Sequence, residues 1–219
     1  MSQFTRFPAD IPALTGALVR LEPLSADHRA DLALAAEEDR GNYEFTLVPR
    51  AGEIGDHIAA QLDRARNGEI RPFAQVRLSD GRAVGVTGYG DFRCWPGRPG
   101  QLCAGQIGRS WLAASAQRTG INPEAKFLLL EYAFETLGMA RVDLKTDARN
   151  QRSRRAIAGL GATFEGVLRS WSPSHAPGEE GLLRDTALFS VTAADWPAVK
   201  AALRARLRAW GGSGPVRSG

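Results

Sequence analysis

The sequence predicts a single α/β domain with a mixed, largely antiparallel central sheet and helices on both of its faces. Three observations support this fold class. Two stretches in which apolar and polar residues alternate flank the turn at Ser79–Arg82, as in a β-hairpin. A strand, helix, strand unit spans residues 102–146, and a unit of that length joins parallel neighbours. Amphipathic helical patterns also occur both before and after these strands.

The first third of the chain combines one strand with two helices. A strand is predicted around residues 19–22, followed by Ser25 as the N-cap of a helix that runs to about Glu37. Apolar residues at helical spacing begin again at Ile54 and predict a second helix that ends before Asn67–Gly68. The hairpin follows directly.

The second half of the chain begins with a helix predicted from Pro123 to about Leu137. This helix carries Glu124, Glu131 and Glu135 on one face and apolar residues on the other, so it is expected to cover one face of the sheet. The remaining predicted elements are a strand at Arg141–Thr146, a helix capped by Asn150 that packs through Ala156, Ile157 and Leu160 and ends at Gly161, strands at Thr163–Trp171 and Arg184–Val191, and a last helix opening at Thr192 or Asp195.

The composition excludes several classes of protein. A hydrophobic content of 43% and a charged content of 24% are ordinary for a soluble globular protein. The net charge of +4 arises from arginines scattered among acids, so no basic nucleic-acid-binding arm is expected. No signal peptide or long apolar run is found, and the two cysteines lack CxxC spacing, which favours a cytoplasmic protein outside the membrane. The three histidines are far apart, and no metal site is expected.

The chain shows no internal repeat and no linker that would divide it. Residues 1–13 contain prolines without periodicity and predict a loosely ordered arm. Residues 14–210 are expected to form the domain, and the small, polar residues 211–219 a disordered tail.

The junction at residues 117–123 carries the main functional signal. Asn122 is a preferred N-cap and Pro123 a preferred first helical residue, so a helix is predicted to open there. The unpaired N–H groups and the positive end of that helix suit an anion, best of all a phosphate, and Gly120 allows close approach to the main chain. The junction alone is a weak signal, because most such helix ends bind nothing.

The residues around this junction form a wider pattern. It consists of Gln117-x-x-Gly120-x-Asn122, a long apolar helix, a strand, and Asn150-x-x-Ser153. This pattern resembles the acetyl-CoA-binding half of the GNAT acyltransferases, especially the branch that includes the Rim-type (RimJ/RimL-like) ribosomal-protein N-acetyltransferases. The resemblance extends from about Leu18 to the helix at Asp195–Trp196. Asn122 departs from the Gly or Ala that is usual in the family.

The resemblance implies acetyl-CoA as co-substrate and a sheet that is splayed at the strand before the loop. It implies cofactor contacts from Leu112, Gln117, Arg118, Thr119, Gly120, Ile121, Asn122, Asn150 and Ser153. Tyr43 and Phe45 are candidates for the substrate pocket, although simple loop packing explains them equally well. Gln106 is placed in the same pocket, where many relatives carry a Glu.

The activity implied is CoA-dependent N-acyl transfer, above all acetyl transfer, by direct attack of a primary amine. The acceptor, a protein N-terminus or a small-molecule amine, is left open, as is a homodimer that completes the pocket. An alkyl amine with a pKa near ~10.4 needs a base at neutral pH, and Gln106 cannot serve. Glu44 is therefore a candidate base through water, and Ser153 a candidate acid for the leaving thiolate, with helix capping an equal alternative for Ser153. A non-catalytic acyl-CoA-binding or protein-interaction module is the competing function.

Overall fold

The structure is a computed structural model that describes residues 10–95 and 104–211. The strands are β1 (Leu14–Thr15), β2 (Val19–Pro23), β3 (Ile70–Arg77), β4 (Ala83–Arg93), β5 (Ala104–Leu112), β6 (Arg141–Asp147), β7 (Thr163–Pro173) and β8 (Leu183–Thr192). The helices are α1 (Arg29–Glu37), α2 (Ile54–Arg66), α3 (Ile121–Glu131), α4 (Gln151–Ala158) and α5 (Trp196–Gly211). Residues 1–9 of the predicted arm, residues 102–103 at the start of the predicted strand, helix, strand unit, and residues 212–219 of the predicted tail lie outside the described residues.

All eight strands form one sheet in the order β1-β2-β3-β4-β5-β6-β8-β7. Every neighbouring pair is antiparallel except β5 and β6, which are parallel, as the length of the connecting unit predicts. The mixed, mostly antiparallel fold class is therefore confirmed. β6 joins the parallel unit to the C-terminal hairpin of β7 and β8, because it pairs with β5 on one side and with β8 on the other.

Helices cover both faces of this sheet. Tyr89 of β4 points to α3, and its hydroxyl donates to the carbonyl of Leu129. Gly90, the next residue, points to the opposite face, where a Cβ would meet Ile70 and Arg109. The α1–α2 pair packs on that second face through residues such as Ile54 and Ile58. We refer to the two faces as the α3 face and the α1–α2 face.

The predicted caps of two helices are confirmed. Ser25 accepts a hydrogen bond from the N–H of Asp27 and opens a short 3-10 turn that leads into α1. Asn150 accepts the N–H of Ser153 at 2.9 Å and caps α4. Such caps depend on residues two or three positions apart, which is why the sequence reveals them.

The predicted start of α3 is wrong. The helix begins at Ile121, and its N-cap is Gly120 with φ +72°, so Asn122 and Pro123 lie inside the first turn. Gly120 takes the cap position because it adopts the left-handed conformation that a side chain would disfavour. Proline tolerates the first turn because its missing N–H has no helical partner there.

The predicted orientation of Glu124 is also wrong. Its carboxylate is buried and accepts the backbone N–H groups of Ala17, Leu18 and Val19 at 2.9, 2.7 and 2.9 Å. The free amides of the β1–β2 turn are therefore satisfied from α3. Ala156 of α4, expected to be buried, is exposed, and Ile157 and Leu160 alone carry that packing.

Candidate active site

The sheet opens between β5 and β6. The two strands pair only over Ala104–Gln106, opposite Arg141–Asp143, and residues 107–112 of β5 have no partner on that side. Arg109 has φ +54°, which marks a bulge in this unpaired stretch. The predicted splay before the loop is thus present, and it leaves a free backbone edge inside the domain.

A tight loop follows β5 and leads into α3. A 3-10 turn at Ala114–Ala116 is followed by Arg118 with φ +62° and then by Gly120. The Thr119 hydroxyl donates to the carbonyl of Ala116 at 2.7 Å and braces the loop. A left-handed Arg is uncommon, and alternation of this kind turns successive N–H groups toward one side.

Residues 118–122 present five backbone N–H groups that are not used inside the protein. Within residues 10–95 and 104–211, none of them donates a hydrogen bond. Those of 121 and 122 also belong to the first turn of α3, where the helix dipole is positive. This combination of unpaired donors and a helix N-terminus is suited to an anion with several oxygens.

The tip of α3 is closed on its other side. A Cβ at Gly120 would overlap the indole of Trp210 from α5 and come within 2.6 Å of Leu18. Leu18 and Ile121 also line a depression of about 430 Å³ beside the loop, together with Ala17, Arg77, Leu78, Ser79, Ser115 and Thr119. Trp210 and Leu18 therefore leave no room for a side chain at the N-cap of α3.

The main chain at the end of β5 is held by two side chains from the predicted site. The carbonyl of Leu112 accepts the Tyr43 hydroxyl at 3.1 Å and Gln117 Nε2 at 2.9 Å. Tyr43 is buried, and burial raises its pKa to about 12. Its hydroxyl is thus occupied in fixing the strand, which supports the packing alternative for Tyr43.

Arg152 of α4 connects three segments around the loop. Its guanidinium donates to Gln117 Oε1 at 3.2 Å and to both the side chain and the carbonyl of Asn42. The loop after β5, the start of α4 and the α1–α2 connection are therefore brought together. The sequence analysis missed Arg152, since its partners are 35 and 110 positions away.

Several predicted residues meet at the start of α4. Asn150, Glu44 and Phe45 line a polar depression of about 290 Å³ together with Gly41, Asn42, Arg149, Gln151 and Arg152. Arg149 lies over the Phe45 ring at 5.1 Å. Ser153 is half-buried behind Asn150, and its hydroxyl makes no hydrogen bond within the described residues. Glu44 is exposed and lies on the same side as Asn150.

The α1–α2 face at the splay carries charged residues that the sequence analysis did not identify. The Gln106 amide lies across Gly108 on this face. Asp91, at a bulge in β4 with φ +49°, forms an ion pair of 2.8 Å with Lys145 of β6. Burial is the largest single influence on Asp91 and raises its pKa, but the hydrogen bond from Lys145 and the positive charges of Lys145, Arg109 and Arg93 together hold the pKa below its usual value. Trp171 lies 5.8 Å from the Lys145 ammonium and is largely exposed.

A buried lysine lies on the opposite face of β5. Lys126 of α3 donates to Thr87 at 2.7 Å and to Ser110, and these two hydroxyls are 2.8 Å apart. No acidic residue is among its hydrogen-bond partners in the described chain. Burial alone lowers its pKa to about 7. Because a lone lysine is usually exposed, its position was not evident from the sequence.

Two further properties concern the described residues alone. No group of three or more His, Cys, Asp or Glu side chains there is arranged to hold a metal ion. None of the helices there has the length and apolar character that crossing a membrane requires.

Comparison with known proteins agrees with this geometry. A model of the acetyltransferase (GNAT) domain matches residues 19–163. A GCN5-related N-acetyltransferase from Brucella melitensis is 29% identical with a TM-score of 0.74, over 91% of this chain and 87% of that one. A structure from T. thermophilus that is described as an acetyltransferase is 32% identical with a TM-score of 0.72, over 92% and 100%.

More distant structures share the fold. Mycobacterium smegmatis RimJ, determined in complex with a CoA-disulfide, is 22% identical with a TM-score of 0.72, over 89% of this chain and 95% of that one. The comparison with curated proteins returned no match. The family match covers well over half of the chain, from β2 to the start of β7, and includes the splay, the loop and α4. The chain therefore belongs to the GNAT family of acetyltransferases.

Proposed function

We propose that this protein is an N-acetyltransferase that transfers the acetyl group of acetyl-CoA to a primary amine. One observation carries the proposal: the five unused backbone N–H groups of residues 118–122 lie at the positive end of α3, beside the free edge of β5. A diphosphate seated there would place an attached arm along that edge. The solved structures of RimJ and of the acetyltransferase MccE, which contain a CoA-disulfide and acetyl-CoA, support CoA as the ligand.

The cofactor-binding residues in this proposal are those that the sequence suggested, and each group of them has a separate role. Residues 118–122 bind the diphosphate through their main chain, and the Arg118 side chain adds a positive charge. Gln117 and Tyr43 fix the carbonyl of Leu112, so the edge of β5 is held in position before the cofactor arrives. Pre-organisation of this kind lowers the cost of binding.

The acceptor amine approaches from the α1–α2 face in this proposal. Gln106 lies on that face, and Glu44 lies beside Asn150 near the opening. Glu44 relays a proton from the amine through water, and Ser153 protonates the leaving thiolate. The half-buried position of Ser153 at the first turn of α4 supports its role, because the positive helix end favours a nearby thiolate. The cysteine content supports a cytoplasmic location.

The activity is tested with acetyl-CoA and a panel of amines while the release of free thiol is followed. The panel contains peptides with free N-termini, as the Rim-type resemblance suggests, as well as polyamines, aminoglycosides and amino acids. Turnover with at least one amine is expected. Calorimetric binding of acetyl-CoA without turnover on any acceptor would instead support a non-catalytic acyl-CoA-binding module.

The substitution Ser153→Ala tests whether the Ser153 hydroxyl acts as an acid or has only a structural role beside the helix cap. Because Asn150 already caps α4 through the Ser153 N–H, removal of the hydroxyl leaves the cap intact. We expect kcat to fall roughly 10²-fold or more, within the range of a positioned acid, with little change in the affinity for acetyl-CoA. Gln151→Ala, an exposed change in the same turn, is the control and should leave kcat unchanged. An unchanged kcat in the Ser153 variant would remove this role.

A further inference from the structure

Lys145 extends across the mouth of the splay. It belongs to β6, two residues beyond Asp143, which is the last residue of β6 that pairs with β5. Its ammonium reaches Asp91 of β4, and β5 lies between β4 and β6 in the sheet. The Lys145 side chain therefore crosses over β5, on the α1–α2 face, where Gln106 ends the pairing.

The surroundings of Lys145 are those of a bound alkyl ammonium. The Asp91 carboxylate accepts from Nζ at 2.8 Å, and the Trp171 ring lies 5.8 Å from Nζ. A carboxylate and an aromatic face are common partners of an ammonium group. The protein thus holds one of its own amines on the face from which the proposed reaction requires an amine to attack.

The other two lysines of the chain are differently placed. Lys126 is buried on the α3 face against Thr87 and Ser110. Lys200 lies on α5, paired with Glu131 and Glu135. Only Lys145 among the three combines the α1–α2 face with the open end of the β5–β6 pair. The three lysines therefore provide one candidate amine and two internal controls.

We propose that Lys145 is a self-acetylation site, modified within the same molecule by acetyl-CoA bound at the splay; this inference rests on the proposed function. The ammonium first loses one proton to solvent. The Nζ lone pair then forms a C–N bond to the thioester carbonyl carbon while the C–S bond breaks, and the second amine proton ends on the thiolate. The product is an amide, and the positive charge that balances Asp91 is lost.

The test uses the purified full-length protein, acetyl-CoA and mass spectrometry of its peptides. We expect Lys145 to be acetylated at least about a hundredfold faster than Lys200, because the reaction is intramolecular. The rate constant should not depend on protein concentration, and an excess of coenzyme A without an acetyl group should suppress the reaction. Lys145→Arg should abolish the modification, whereas Lys200→Arg should leave its rate unchanged.

Four outcomes would overturn the inference. Equal labelling of Lys145 and Lys200 would show ordinary chemical acylation. An apparent first-order rate constant that rises in proportion to protein concentration would show transfer between molecules. An unmodified Lys145 in protein that binds acetyl-CoA by calorimetry and acetylates an external amine would reduce the Asp91–Lys145 pair to a structural contact and leave the proposed function standing. Absence of both acetyl-CoA binding and amine turnover would contradict the proposed function as well.

Discussion

Gly120 is constrained in two independent ways. Its φ of +72° is a conformation that disfavours a Cβ, and the space a Cβ would occupy is filled by Trp210 and Leu18. Gly138, at the end of the segment that follows α3, has a similar φ of +63° but nothing within 4 Å of its Cβ direction. A comparison of substitutions at the two glycines therefore distinguishes the effect of backbone strain from that of steric overlap.

Gly120→Ala should destabilise the protein more than Gly138→Ala. The left-handed backbone costs about 1–2 kcal/mol in both variants. Overlap with the indole of Trp210 adds about 1–3 kcal/mol for Gly120 alone. Urea unfolding of both variants measures the difference. Equal losses of stability would show that Trp210 moves aside at little cost.

Lys126 makes stability depend on pH. Its folded pKa of about 7 lies below the ordinary value of 10.5, because burial disfavours the charged form. Below pH 7 the lysine is charged in both states, and the full cost of burying the charge, on the order of 5 kcal/mol, is present. Between the two pKa values the unfolded chain binds more protons than the folded protein, so stability rises with pH.

Lys126→Met should therefore stabilise the protein, and more so at pH 6 than at pH 9. The difference in the free energy of unfolding between the variant and the wild type should shrink by about 2–3 kcal/mol from pH 6 to pH 9. The reason is that the wild type becomes more stable as the buried Lys126 loses its charge. Urea unfolding at both pH values provides the measurement. Lys200→Met, which removes a lysine of surface ion pairs, is the control and should show no such slope. A pH-independent advantage for Lys126→Met would mean that Lys126 keeps its proton in the folded protein as it does in the unfolded chain, so that burial does not lower its pKa into this range.

At the scale of elements, the N-terminal end of α3 combines one established contact with one proposed role. Its first turn leaves N–H groups free for an anion, while Glu124 in the same turn satisfies the amides of the β1–β2 turn. The buried carboxylate therefore joins the edge of the sheet to the helix that carries the binding loop. Loss of this joint would affect the loop as well as the stability of the fold.

Glu124→Gln should lower the free energy of unfolding by about 1–3 kcal/mol or more. The amide keeps a single acceptor oxygen and turns its NH₂ group toward backbone donors, so at least one of the three N–H groups loses its partner. Glu131→Gln, in the same helix but at a more exposed ion pair with Lys200 and Arg204, is the matched control and should change stability by less than about 1 kcal/mol. Denaturant unfolding distinguishes the two, and similar losses would contradict a special role for Glu124.

At the scale of the whole molecule, the open edge of β5 is a gap in an otherwise continuous sheet. All eight strands belong to one sheet, but β5 and β6 share only three residue pairs. The unpaired stretch remains inside the domain because α3, α4 and the α1–α2 connection surround it, with Arg152 as the link between the last two. A ligand that pairs with this edge should stabilise the entire fold.

Coenzyme A should raise the free energy of unfolding by about 2.7 kcal/mol at a concentration of 100 Kd, because it binds only the folded state. For a domain of this size the corresponding rise in Tm is roughly 5–10 °C. Pantetheine, which lacks the diphosphate, is the matched control ligand and should raise the Tm much less at the same concentration. Equal shifts with both compounds, measured by thermal unfolding, would remove the N–H groups of residues 118–122 from the site.

Local patterns were sufficient for the elements of this fold. The hairpin of β3 and β4 and the Ser25 and Asn150 caps follow from residues a few positions apart, and the parallel β5–β6 pair follows from the length of the unit that connects the two strands. The loop before α3 was located for the same reason, although the helix begins at Ile121 and not at Pro123. Gly120, the N-cap of this helix, has no side chain that could identify it as a cap in the sequence.

Side-chain partnerships across the sheet were decided only by the tertiary structure. Glu124 turns inward to amides more than 100 positions away, and the hydroxyl of Tyr43 reaches Leu112 across 69 positions. Asp91 and Lys145 meet across an intervening strand. The sequence by itself determined the order and type of the elements and the position of the loop before α3, because these depend on periodicity and local backbone preference. The structure decided which polar groups meet, because strand order and register bring together residues that are remote in the chain.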